Sequence, residues 1–182
     1  MLHEYDVVIV ADYGHGFLNR DLIRVLAAES RFLALNVQTN SANLGYNLVT
    51  KYPRADYVCV DEPEVRLAAH DRRGSLEEII GRLSKDLSSR RVSITRGHNG
   101  SVSYSDPDGF FQVPVLSREI VDRIGAGDAY LSVTAPCAAA GYHPEVVGFI
   151  GNAVGALAVR IVGNRTAVEP VPLFKFINAL LQ

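Results

Sequence analysis

The sequence predicts an α/β domain in which a mostly parallel sheet lies between two layers of helices. Short apolar, β-branched segments alternate with helical segments, and this alternation is typical of parallel strands joined by crossover helices. The length of 182 residues fits one domain, and a hydrophobic fraction of 48% is enough for a core. We therefore expect one domain over residues 1–182.

Six segments are predicted strands. Val7 to Ala11 is a continuous apolar run, mostly β-branched, so we expect a strand that is buried on both faces. The last two strands are expected to form a hairpin across the turn Asp106 to Gly109, which contains a proline and a glycine. The polar residues 38–43 predict no regular structure. After the first strand, the predicted strands are 32–37, 57–60, 91–95, 101–105 and 110–114.

Helices are predicted between and after the strands. Residues 19–30 carry an apolar stripe on one face, and Pro63 is compatible with the first turn of a second helix that runs to about His70. Ser75 predicts the N-cap of a third helix, which has Glu77 and Glu78 in its first turn. The last third of the chain is mainly helical, with predicted helices at 127–140, 144–162 and 172–181.

Composition excludes several classes of protein. A formal net charge of −2 argues against a nucleic-acid partner held by phosphate contacts. We find no signal-peptide pattern, and the uncharged apolar run Val146–Val159 is shorter than the roughly 20 residues of a membrane span. Cys59 and Cys137 are predicted to be free, buried thiols. We therefore expect a cytoplasmic protein without a nucleic-acid or membrane partner.

The strongest candidate for chemistry is the segment from Asp122 to Asp128. Gly125, Ala126 and Gly127 leave the backbone unobstructed at the start of a predicted helix, so successive N–H groups can converge on an anion. Asp128 stands beside that anion and can accept a proton from an attacking hydroxyl group. The alternative is that Asp128 only complements the helix dipole.

Two other predicted strand ends carry candidate ligand-binding residues. Thr95 is followed by Gly97 and Gly100, which permit either a plain turn or the close approach of a flat ligand. Asp61 and Glu64 flank the start of a predicted helix, where carboxylates either hold Mg²⁺ or form an ordinary acidic N-terminus.

A dinucleotide-binding site is a weaker interpretation of the loop after the first strand. Gly14 and Gly16 begin a Gly-x-Gly-x-x-Gly pattern, but Asn19 takes the third glycine position and Asn36 the acidic position. The sequence therefore gives only weak support to the hypothesis of a nicotinamide-dependent domain.

Taken in order, these loops resemble the carboxyl-terminal part of the ribokinase-like (PfkB) carbohydrate kinases. Segment 122–128, Asp-Arg-Ile-Gly-Ala-Gly-Asp, resembles the family signature Asp-Thr-x-Gly-Ala-Gly-Asp. Segment 11–16, Ala-Asp-Tyr-Gly-His-Gly, is most similar to the loop Asp-Tyr-Gly-Lys-Gly of the heptose-phosphate kinase branch. The resemblance implies a three-layer α/β/α, Rossmann-like ribokinase fold that lacks the N-terminal substrate and lid portion.

The resemblance also implies a function. It is ATP-dependent phosphoryl transfer to a hydroxyl of a sugar or sugar phosphate, with ATP and Mg²⁺ and, where the family uses one, K⁺. Asp128 would be the catalytic base, and Gly125, Ala126 and Gly127 the anion hole. The remaining implied sites are nucleotide contacts at Thr95, Gly97, Gly100 and Asn152, substrate contacts at Asp12 and Gly14, and metal contacts at Glu64, Asp61 and Asp122.

Three residues depart from the family pattern. Arg123 stands where the signature has Thr, Asp61 where the motif Asn-x-x-Glu has Asn, and His15 where the heptose-phosphate kinase loop has Lys. They favour an alternative hypothesis, a non-catalytic nucleotide-binding or scaffolding domain of a larger protein. Because no segment matches the family's N-terminal portion, we expect a fragment or a reduced relative. Its first strand would form a homodimer contact or pair with the missing portion.

Overall fold

The computed structural model describes residues 1–106, 108–117 and 120–182. Its strands form one sheet in the order β1 to β6, in which β1 to β4 are parallel and β5 and β6 are antiparallel. The strands are β1 (Val8–Asp12), β2 (Leu33–Val37), β3 (Tyr57–Asp61), β4 (Arg91–Thr95), β5 (Ser101–Ser105) and β6 (Gly109–Val113). The mostly parallel α/β sheet is therefore confirmed.

Helices lie at the predicted places, with small differences at their ends. Asn19 caps α1 by accepting a hydrogen bond from the Leu22 amide, and Ser75 caps α3 through the Glu78 amide. Residues 144–162 were predicted as one helix, but the regular helix ends at Ala158. The helices are α1 (Arg20–Glu29), α2 (Glu62–Ala68), α3 (Leu76–Asp86), α4 (Ala126–Ala139), α5 (Pro144–Ala158) and α6 (Pro170–Leu180).

The sheet separates two hydrophobic clusters, as a three-layer fold requires. On one face, α1, α2 and α3 pack against side chains such as Leu35, Val58 and Ile94. On the other face, α4 and α5 pack against Ala34, Tyr57 and Cys59. Among the described residues, no helix is both long and apolar enough to cross a lipid bilayer.

The expectation of a first strand buried on both faces was wrong. Along β1 the side chains alternate, with Val10 and Asp12 buried and Ile9 and Ala11 exposed. Ile9 is 41% exposed because α4 covers the middle of the sheet and β1 lies at its edge. Cys59 is buried as predicted, whereas Cys137 is only half-buried. The predicted turn at Asp106 to Gly109 includes Pro107, which lies outside the described residues.

The four parallel strands end at one edge of the sheet. Asp12 is in register with Val37, and Asp61 is in register with Thr95. Because the carboxyl ends of parallel strands are the usual ligand-binding edge, the loops singled out in the sequence meet there.

Candidate active site

A cleft of about 1040 Å³ opens at this edge of the sheet. It lies between the ends of β3 and β4 on one side and the beginning of α4 and the second half of α5 on the other. The structure thus brings several predicted ligand-binding residues to one cavity: Asp61, Thr95, Gly97, Gly100, Ala126, Gly127 and Asn152. The cleft does not include Asp12, Gly14, Glu64, Asp122, Gly125 or Asp128 in its lining.

The loop after β4 depends on a glycine for its shape. Gly100 has a φ of +76°, and a Cβ atom there would collide with the Val113 carbonyl oxygen. Gly97 also has a positive φ, +56°, but a Cβ atom there would meet open space. Asn152 donates from Nδ2 to the carbonyl oxygens of Val113 and Pro114, both at 2.9 Å. Its amide hydrogens therefore hold the wall of the cleft beside this loop.

The wall formed by α2 and β4 carries a network of charges. Glu62 accepts hydrogen bonds from Arg96 Nε at 2.8 Å and from Arg66 Nε at 2.9 Å. Hydrogen bonding from Arg96, with the nearby Arg66, holds the pKa of Glu62 below its usual value. Arg72 and Arg123 line the same cleft and are exposed. Several guanidinium groups thus face one cavity, which suits an anionic ligand.

The first turn of α4 presents open backbone to the cleft. Gly125 is its N-cap and has a left-handed conformation, with a φ of +76°. Ala126 and Gly127 line the cavity, and the space where a Cβ of Gly127 would stand has no other heavy atom within 4 Å. The Ala126 amide donates to the Arg123 carbonyl oxygen at 3.3 Å, whereas the backbone at Gly127 is open to the cleft at the positive end of the helix dipole.

Asp128 follows in the same turn but is held by loops on another side. Its Oδ2 accepts a hydrogen bond from the Tyr13 hydroxyl at 2.8 Å, and its Oδ1 accepts one from Gln38 Nε2 at 3.3 Å. Tyr13 follows β1 and Gln38 follows β2. Burial, together with the Asp128 carboxylate, raises the pKa of Tyr13 to about 12, so this phenol stays a hydrogen-bond donor at neutral pH.

The predicted substrate residue Asp12 ends β1 and is buried. It is only 3% exposed. One of its oxygens accepts from the Gly14 amide, and the other accepts from Tyr52 at 2.8 Å and pairs with Lys51 at 2.5 Å. Burial opposes ionisation, but these hydrogen bonds hold the pKa of Asp12 below its usual value. The Asp12 carboxylate thus holds its loop in place through both of its oxygens.

Gly14 is likewise part of the scaffold of that loop. Its φ is +70°, and a Cβ atom there would collide with the side chains of Asn43 and Asn47. The Asn43 side chain also donates to the Tyr13 carbonyl oxygen at 3.0 Å. The two predicted substrate residues therefore fix the position of Tyr13, which lies between them.

The predicted metal residues Asp61 and Glu64 form the capping box of α2. Asp61 accepts from the Glu64 amide, while Glu64 accepts from the amides of Asp61 and Thr39. Burial, and for Glu64 also the neighbouring Asp61 carboxylate, raises both pKa values, that of Glu64 to about 7. Two half-buried carboxylates that repel each other suit a nearby cation. Asp61 lines the cleft and Glu64 does not, so of these two carboxylates Asp61 is the one that could contact a cation there.

The third predicted metal residue is not part of that pair. Asp122 accepts hydrogen bonds from the amides of Ile124 and Gly163 and holds the turn before α4 against the turn after α5. These hydrogen bonds lower the pKa of Asp122. Within the described ranges, no three His, Cys, Asp or Glu residues cluster closely enough to hold a metal by themselves.

Sequence reasoning missed the residues that hold Asp128 and Asp12. Gln38, Lys51 and the hydroxyl of Tyr13 had no assigned role, and Gln38 was grouped with an irregular polar stretch. A signal was present for Gln38, because it directly follows a predicted parallel strand at the ligand-binding edge. Lys51 lies on no motif and could not have been found this way.

Comparison with known proteins agrees with this architecture. The model of the pfkB family of carbohydrate kinases matches residues 27–170. The bifunctional protein HldE of Desulfatibacillum aliphaticivorans is 27% identical over 164 residues, which are 88% of this chain and 33% of the relative. The chain thus spans about a third of the length of this curated relative.

Solved structures share the fold at low sequence identity. Ribokinase II from Escherichia coli, in complex with ATP and Mg²⁺, is 20% identical with a TM-score of 0.77, and the match covers 98% of this chain and 60% of that one. Phosphofructokinase-2 from E. coli, in complex with potassium, is 14% identical with a TM-score of 0.78, at 97% and 57% coverage. Because the family model matches most of this chain, residues 27–170, the chain belongs to the pfkB family of carbohydrate kinases.

Proposed function

We propose that this chain is the C-terminal, nucleotide-binding part of a kinase that transfers a phosphoryl group from ATP to a hydroxyl of a sugar or sugar phosphate. The main support for the proposal is the arrangement of two adjacent residues at the start of α4. Gly127 and Asp128 are adjacent in the first turn of α4, yet Gly127 lines the large cleft while Asp128 is held by the loops after β1 and β2. A helix start that faces the cleft and a carboxylate that can accept a proton therefore lie side by side.

The large cleft is the proposed nucleotide site. Its volume of about 1040 Å³ is sufficient for a nucleotide, and its lining includes Thr95, Gly97, Gly100 and Asn152. Arg66 and Arg96 supply fixed positive charge, since Glu62 holds both of them. The complex of E. coli ribokinase II with ATP and Mg²⁺ supports this choice of ligand.

When bound, ATP supplies the phosphoryl group, and Mg²⁺ screens its charge. Asp61 would hold the metal together with nucleotide oxygens and water, with Glu64 in the layer behind it. Asp122 is the proposed neighbour of a K⁺ ion, for which the potassium complex of E. coli phosphofructokinase-2 is the support.

The chain's own residues then perform two tasks. The start of α4, formed by Gly125, Ala126 and Gly127, stabilises negative charge on the transferred group through the partial positive charge of a helix N-terminus. Asp128 accepts the proton of the attacking sugar hydroxyl. The buried Asp12 and Gly14 keep the loop next to Asp128 in its observed shape.

The test is the variant Asp128→Asn, compared with Asp86→Asn, which alters an exposed carboxylate at the end of α3. ADP release is measured with ribose, fructose 6-phosphate and a heptose phosphate as acceptors. We expect Asp128→Asn to lower turnover by about 10²- to 10⁴-fold, the usual contribution of a general base, while calorimetry shows nearly unchanged ATP affinity. Equal turnover in Asp128→Asn and the unsubstituted chain would refute the assignment.

The second candidate is a non-catalytic nucleotide-binding domain of a larger protein. The exposed Arg123 favours it, because this side chain lines the cleft beside the anion-binding turn and can hold a phosphate without any transfer. Heat of ATP binding in the presence of Mg²⁺, without phosphorylation of any acceptor, would support this candidate. Phosphorylation of any of the three acceptors would exclude it.

A further inference from the structure

We propose that Tyr13 is a positioning residue for Asp128, whose carboxylate it holds in the orientation needed to accept the proton of the acceptor hydroxyl. This inference rests on the proposed function, in which Asp128 is the general base. It assigns a role to a side chain that lies 115 residues from Asp128 in the sequence, in the loop after β1.

The Tyr13 hydroxyl is well placed for this role. It donates to Asp128 Oδ2 at 2.8 Å, the length of a good hydrogen bond between a hydroxyl and a carboxylate. The phenol is a lasting donor at neutral pH, because its ionisation would place a second negative charge beside Asp128. A hydrogen bond to an ionised group is also among the stronger ones that a side chain can make.

The backbone that carries Tyr13 is fixed from several sides. Its carbonyl oxygen accepts from the side chains of Asn43, at 3.0 Å, and Asn40, at 3.4 Å. The residues on either side are the buried Asp12 and the closely packed Gly14. A donor on such a support can define the direction of the group it binds, whereas a freely moving side chain could not.

Gln38 provides a second, weaker restraint. Its Nε2 lies 3.3 Å from Asp128 Oδ1, so each carboxylate oxygen has one donor, and the two donors come from different strand ends. Together they fix rotation of the carboxylate group about its bond to the chain. Each oxygen of an ionised carboxylate can accept about two hydrogen bonds, so an acceptor position remains for a sugar hydroxyl.

The experiment compares Tyr13→Phe with Tyr46→Phe, a control in the neighbouring loop whose ring is 91% exposed. Phe removes one oxygen and keeps the ring, so the loop retains its packing. We expect Tyr13→Phe to lower kcat by about 10- to 100-fold, with KM for ATP and for the acceptor within about twofold of the unsubstituted values. Tyr46→Phe is expected to change none of these quantities.

A double variant separates positioning from a merely structural role. If Tyr13 acts through Asp128, adding Tyr13→Phe to Asp128→Asn causes little further loss of the residual turnover. An unchanged kcat in Tyr13→Phe, or the same fold loss with and without Asp128, would overturn the inference. A lowered acceptor KM with a raised kcat would also overturn it, since Tyr13 would then compete with the substrate.

The same measurements show which of the two ideas fails. If Asp128→Asn abolishes turnover but Tyr13→Phe is as active as the unsubstituted chain, the proposed function stands and only the positioning role is lost. If Asp128→Asn retains full turnover, or if the unsubstituted chain phosphorylates none of the three acceptors, the proposed function fails and the positioning role fails with it.

Discussion

Removing the cation of the buried pair Lys51–Asp12 tests the loop that supports Tyr13. In Lys51→Met the Asp12 carboxylate, 3% exposed, loses a partner at 2.5 Å. Breaking a buried ion pair on one side costs about 3–5 kcal/mol. We expect about 3 kcal/mol, the low end, because Tyr52 and the Gly14 amide still donate to Asp12 and because the Lys51 side chain is 27% exposed.

For a chain of this size, that loss corresponds to a melting temperature lower by about 6–12 °C. The cost is expected to depend on pH. Without Lys51 the buried carboxylate takes up a proton more readily in the folded than in the unfolded state, so acid stabilises the folded variant. The difference in unfolding free energy between Lys51→Met and the unsubstituted chain therefore becomes smaller as the pH is lowered from about 7 to about 4.

Urea denaturation followed by circular dichroism measures this difference at each pH. Lys175→Met is the matched control, since Lys175 is exposed on α6 and forms no ion pair within the part of the chain that the structure describes. Equal stability of Lys51→Met and the unsubstituted chain at neutral pH would show that Asp12 does not depend on its cation. A difference that stays constant with pH would show that the carboxylate is not the group left unpaired.

Three further predictions concern the cleft and the sheet edge. Burial, with the Asp61 carboxylate nearby, raises the pKa of Glu64 to about 7, so the folded state binds its proton more tightly and stability falls as the pH rises from about 4.5 to about 7. Glu64→Gln should make this decline shallower in urea denaturation, and parallel profiles would contradict it. Gly100→Ala should weaken ATP binding and cost about 2 kcal/mol or more, because it adds a clash with a carbonyl oxygen to a positive φ. Gly97→Ala, which meets open space, should cost only about 1 kcal/mol, and equal losses would argue against this view of the loop. The open edge and exposed Ile9 of β1 predict self-association of this chain, reduced in Ile9→Lys. Light scattering that shows a monomer at high concentration would contradict this last prediction.

Most of the fold could be predicted from local patterns. The β4 segment Arg91–Thr95 and the β5 segment Ser101–Ser105 have the predicted bounds, and the cap at Ser75 lies where the sequence indicates it. Such features depend on a few neighbouring residues, whose backbone preferences act before any tertiary contact forms. The burial of β1 was mispredicted because burial depends on what covers a strand, and an apolar run is the same at an edge as in the middle of a sheet.

The candidate site likewise combines a local pattern that the sequence indicates with contacts that only the folded chain creates. The pattern of residues 125–128 indicated an anion-binding helix start next to a carboxylate, and this pattern is local. Tyr13 and Gln38 beside Asp128, and Arg96 on Glu62, are pairs between separate strand ends or loops.

The sequence by itself therefore determined the elements, the turns that need glycine and the order of the loops along the sheet edge. Only the tertiary structure decided which polar groups are buried together. It brought three donors, from Gly14, Lys51 and Tyr52, to Asp12, so this carboxylate supports its own loop, while the substrate contact at Asp12 stays a prediction. The energy of a buried polar group depends on the donors that surround it, and chain folding brings those donors together from distant positions.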